Sequence, residues 1–155
     1  MGLVKKIETL KFQLDAFSNG RRTLEDMSAK VKVEWDMEQN AITVINDTSR
    51  AQLNRVLHAT RAFDTGLRLF LDKFGARSAT SHSISDYVSD LQRNARPDSG
   101  FHQLSGTIAT RIQTEVTNER NRYCHAAGAF PTKAEADFVV GRILEYHSIV
   151  MGLEK

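Results

Sequence analysis

Between Asn46 and Gly75 the chain carries apolar residues spaced for one helix face, and nothing else in it restricts the fold as strongly. Leu53, Val56, Leu57, Thr60, Phe63, Leu67, Phe70, Leu71 and Phe74 recur chiefly at steps of three and four, the period of an α-helix. Asn46-Asp47-Thr48-Ser49 supplies side chains that cap a helix start, and Gly75 suits its end. The run makes about seven turns at 3.6 residues each. A helix that long, apolar along one side, must bury that side against other elements.

The flanking segments supply such partners. Leu3, Ile7, Leu10, Leu14 and Phe17 form a second amphipathic stripe, closed by Ser18-Asn19-Gly20. Ile84, Tyr87, Val88 and Leu91 predict a shorter helix over about 83–95, after a Ser/Thr-rich loop at 76–82 and before the break at Arg96-Pro97-Asp98-Ser99-Gly100. Phe101, Leu104, Ile108, Ile112 and Val116 predict a further helix. Pro131-Thr132-Lys133-Ala134-Glu135 reads as a capping box that opens a last one, with Phe138, Val139, Ile143, Tyr146, Ile149, Val150 and Leu153 as its face.

Residues 31–45 fit two patterns. Val31, Val33, Trp35 and Met37 alternate with Lys32, Glu34, Asp36 and Glu38, and Gln39-Asn40 offers a turn before β-prone Ile42 to Ile45. That favours a small β-hairpin. The competing helix runs from a cap at Thr23 through Met27, Val31 and Trp35, all four apart. The fold expected is all-α in the main, an antiparallel bundle of four to five helices in one domain over 1–155, with a hairpin inserted around 31–45.

Composition narrows the function classes. A net charge of +2 with 26% charged residues and a pI near 8.8 does not mark a nucleic-acid protein by itself. One cysteine, Cys124, excludes an intrachain disulfide and suits a reducing compartment. The start has no apolar run of signal-peptide length, no run suits a membrane span, and Lys6 stands where a myristoylation motif needs Ser or Thr. A cytoplasmic protein without a membrane role is expected. His58, His82, His102 and His147 are scattered, so no zinc site and no cofactor is expected. Arg50, Arg61 and Arg68 share a helix face with Asp64 between the last two, which reads first as a solvated, locally paired stripe.

The chemistry concentrates in Asn118 to Pro131. Arg120, Asn121, Arg122, Tyr123 and His125 crowd one helix end, and a small-residue stretch follows. Asn121 and His125 share a face, but Arg120 lies about 140° from His125 around the helix. Convergence on one atom needs either a loosened last turn toward Gly128 or a second copy of the chain. Histidine titrates near neutrality and can move the protons of RNA cleavage. Arginine offers a rigid fork of donors to a phosphate. Tyr123 either stacks on a base or, as favoured, packs on the core. Cys124 and His125 point to different sides, which argues against a Cys-His nucleophile.

Arg120-Asn121-Arg122-Tyr123-Cys124-His125 resembles the Arg-x4-6-His motif of the HEPN superfamily, in the form where a polar residue follows the Arg. The helix before it, Ala126-Ala127-Gly128 after it and Pro131-Thr132 opening a final helix agree with that family over about 115–145. The resemblance implies a helical bundle acting as a homodimer, with paired motifs forming one composite site. It further implies a metal-independent endoribonuclease of a toxin–antitoxin or antiviral-defence system, with RNA as substrate and a cognate antitoxin or defence partner. Arg120 and His125 would be its catalytic pair, Asn121 the polar assistant, and Arg122 and Tyr123 substrate contacts. Other members of the superfamily only dimerise or bind nucleotides.

Overall fold

A computed structural model of the chain describes residues 29–44, 48–126 and 128–155. The helix expected over Leu3–Phe17, the Thr23 cap and the Asn46-Asp47 cap lie outside the described residues. The elements in order are α1 (Ala29–Val44), α2 (Thr48–Lys73), α3 (Ile84–Arg93), α4 (Gly106–Ile112), a π-helical turn (Gln113–Thr117), α5 (Asn118–His125) and α6 (Lys133–Met151). Among the described residues there is no strand, only an isolated bridge between Phe101 and Glu154. The all-α bundle expected from the periodicity is the fold.

The long apolar run is its hub. α2 packs against α1, α3, α5 and α6, and Val56, Phe63, Leu67, Phe70 and Leu71 are buried along it. Val139, Ile143, Tyr146 and Val150 of α6 and Ile84, Tyr87, Val88 and Leu91 of α3 complete the core. Burying each such aliphatic or aromatic side chain contributes about 1.5–3 kcal/mol.

Three expectations need correction. Residues 31–44 form helix α1, not a hairpin. Val31, Trp35 and Glu38 are buried, whereas Val33 and Met37 are 55% and 48% exposed. The burial follows the helical period, so the alternation in the sequence was incidental: the two outer apolar residues make no half-buried sheet face. Phe101 and Leu104 are buried without being helical. Their backbone instead forms the bridge to Glu154 and a bond from the Leu104 N–H to the Leu91 carbonyl, 3.2 Å, and the helix starts at the Ser105 cap. On α6, Phe138 is 48% exposed, lying beside the Arg142 guanidinium, 5.1 Å from its ring centre, and Leu153 lies past the helix end.

The capping box predicted at the start of the last helix forms, and a second one, not predicted from the sequence, stands at the start of α3. Thr132 accepts from the Glu135 N–H at 3.2 Å, and Glu135 Oε2 accepts from the Thr132 N–H at 2.8 Å, closing the box at the start of α6. Ser83 and Asp86 do the same for α3.

Candidate functional site

The candidate cluster stands on α5, and the turn before it decides where that helix aims. Over Gln113–Thr117 the backbone widens to a π turn, in which the Asn118 N–H donates to the Gln113 carbonyl five residues back. Such a turn inserts an extra residue and shifts the phase of the residues that follow. Ile112 and Val116 stay in the core, and Tyr123 becomes the anchor of α5. The periodicity of Ile108, Ile112 and Val116 gave no sign of this change.

From Asn118 through His125 the backbone is regular α-helix, ending at Ala126, with Gly128 at φ +79° in the turn that follows. Gly128 relieves the steric conflict that an L side chain meets there. The last turn therefore does not loosen before His125, and Arg120 and His125 stay about 140° apart on one helix.

Arg120 is exposed on the side facing α2, and one of its Nη atoms donates to Asn121 Oδ1 at 3.1 Å. Asn121 is half-buried, and His125 and Cys124 are exposed. Arg122 is exposed and lies 3.6 Å from Glu119, one turn before it. Tyr123 is buried, so packing takes its ring as expected. Its hydroxyl makes no hydrogen bond of good geometry. Burial, then the nearby Glu135 and Glu119 carboxylates, pushes the phenol above its usual value. The structure thus brings Arg120 and Asn121 together, leaves His125 on the face of Asn121 but about 140° around the helix from Arg120, and turns Tyr123 inward.

Arg120 does not stand in open surface. It closes one side of a groove of about 550 Å³ whose other walls come from α2 and the start of α3, including His58, Arg61, Asp64 and Ile84. Burial raises the Asp64 carboxyl above its ordinary range, opposed by the charges of Arg68 and Arg120. On the same wall Glu34 of α1 bridges two α2 residues. One carboxylate oxygen meets His58 Nδ1 at 2.5 Å, and the other meets an Arg61 Nη at 2.8 Å.

These are residues that the sequence reading passed over. His58 stood among the scattered histidines and Arg61 in a solvated stripe. Recognising their connection required α1 as a helix, because only that places Glu34 beside α2. Among the described residues no three His, Cys, Asp or Glu side chains gather as a metal-ligand set, and no helix is long and apolar enough to cross a membrane. No family model matches the chain, and no match emerges among curated proteins or solved structures.

Proposed function

We propose that the chain is a metal-independent endoribonuclease of the HEPN type that works as a homodimer, with Arg120, Asn121 and His125 as its reacting set. The observation that carries this reading is an intact motif on the outside of a well-anchored helix end. Tyr123 holds α5 to the core, while Arg120 and His125 are exposed and build none of it. Side chains with no structural duty, of types suited to phosphodiester cleavage, are the pattern expected of a working site.

In that role the Arg120 guanidinium binds the phosphate as its negative charge grows, and Asn121 fixes the guanidinium through their hydrogen bond. His125 moves a proton to or from an oxygen of the scissile linkage. Because one regular helix cannot aim Arg120 and His125 at one atom, a second copy completes the site. Regulation by an antitoxin or a defence-system partner in the cytoplasm belongs to the same reading.

The same divergence of Arg120 and His125 favours one alternative, a helical module that dimerises or binds RNA or protein without cutting. Incubation of the protein with total RNA and tRNA in EDTA separates the two. The ribonuclease gives fragments with 2′,3′-cyclic phosphate ends and a dimeric mass in light scattering. Intact RNA under those conditions selects the binding module.

A further inference from the structure

The groove beside Arg120 holds a set of groups that the Arg-x4-6-His motif does not include. His58, Arg61, Asn54 and Arg120 all line it. His58 is largely shielded, with its side chain 14% exposed, and its Nδ1 is held by Glu34. A carboxylate only accepts, so the hydrogen bond places the Nδ1 proton toward Glu34 and leaves Nε2 as the nitrogen that can exchange a proton with a ligand. Histidine fixed by a carboxylate on one nitrogen is the arrangement that orients a general base. Arg61 spends one nitrogen on the other oxygen of Glu34 yet leaves its side chain 67% exposed, with further donors available to a ligand.

Two guanidiniums and an oriented imidazole around one cavity fit an anionic ester with a proton to lose. Asp64 in the same groove opposes an anion, but Arg68 and Arg120 face it, and burial already disfavours its charge. We propose that this groove seats the scissile phosphodiester of single-stranded RNA, that Arg61 joins Arg120 as a phosphate ligand, and that His58, positioned by Glu34, is the general base of the reaction.

This assignment rests on the ribonuclease reading above and completes its proton balance. His58 Nε2 takes the proton of the 2′-hydroxyl, and the freed 2′-oxygen forms its bond to phosphorus. The bond from phosphorus to the 5′-oxygen breaks, and that oxygen leaves with a proton from protonated His125. The products are a 2′,3′-cyclic phosphate and a 5′-hydroxyl. His58 thus works in the same chain as Arg120, and His125 serves as the acid.

The test compares two substrates of the full chain: a short RNA, and a uridine 3′-nitrophenyl phosphate whose leaving group needs no proton. His58→Gln is expected to lose about 100-fold or more on both, the usual worth of a general base. His125→Ala is expected to lose as much on RNA but to approach the parent rate on the nitrophenyl ester. A fold defect would depress His125→Ala on both substrates, so its recovery on the ester marks a chemical role. Because His58→Gln is expected to lose on both, its rates are read under conditions where urea unfolding shows the variant folded. A loss that disappears there overturns the base assignment. Arg61→Ala, at an exposed position, is expected to weaken binding of an uncleavable oligodeoxynucleotide about tenfold, the loss of one charge-assisted contact.

Full activity of His58→Gln on both substrates overturns the base assignment and leaves the ribonuclease reading standing. Unchanged oligodeoxynucleotide binding by Arg61→Ala overturns the phosphate seat. A parent protein that cleaves neither substrate removes the ribonuclease reading and this proposal with it.

Discussion

Arg55 Nε donates to Glu38 Oε1 at 2.9 Å across the contact between α1 and α2, and both side chains are largely shielded from water. A second nitrogen of the same guanidinium reaches Asp137 of α6 at 2.7 Å and Gln52 at 2.9 Å. One arginine therefore connects three helices. Its removal leaves the shielded Glu38 carboxylate without this guanidinium, the situation in which breaking an ion pair is costly. Arg55→Met should lower stability by about 3 kcal/mol, read from urea unfolding. A loss below about 1 kcal/mol, the level of a surface pair, would contradict the tie.

His147 gives the fold a pH dependence. Its ring is fully buried edge-on to Phe63, with neither nitrogen hydrogen-bonded. Burial pushes it down to about 3, against about 6.5 in the unfolded chain. Below the unfolded value the unfolded chain takes up a proton that the folded one refuses. Stability from this group is therefore present at neutral pH and falls as pH falls, by about 1.4 kcal/mol per unit. Between about pH 6.5 and about pH 5, above the range of most carboxylates, the loss should be about 2 kcal/mol. His147→Leu should remove that slope and cost little at neutral pH, because it also removes two unsatisfied nitrogens. Urea midpoints at both pH values check it, and an equal slope in the variant would contradict it.

Gly100 is fixed by the ring beside it. A Cβ there would lie 2.5 Å from Phe74 Cε1 and 2.6 Å from Cδ1. That ring packs with Phe70 and Phe101, at centroid distances of 4.9 and 5.4 Å. Gly100→Ala should cost about 1–3 kcal/mol through the displaced aromatic cluster. Adding Phe74→Leu should make the double variant less destabilised than the sum of the two singles, since they share one contact. Simple additivity in thermal unfolding would contradict it.

Where one period dominates a segment, its fold was legible from the residues. The apolar run from Leu53 to Phe74 predicted the hub helix, and Thr132 with Glu135 predicted the cap of α6. Val31 to Met37 misled because two outer apolar residues imitate alternation, and exposure is a tertiary property that no local pattern encodes. Phe101 and Leu104 kept the helical spacing yet owe their burial to the chain end and α3. The motif on α5 was readable as a string of residue types. The groove beside it was not, because Glu34, His58 and Arg120 stand on three helices and meet only once these pack.

The central claim is that Arg120 and His125 perform chemistry and do not hold the fold, and initial rates on a single-stranded RNA in EDTA test it most directly. Both side chains are exposed, so Arg120→Ala and His125→Ala should each unfold within about 0.5 kcal/mol of the parent. Each should also cleave at least about 100-fold more slowly than the parent. Variants that cut RNA at the parent rate, or that lose activity only because they unfold, would contradict the account.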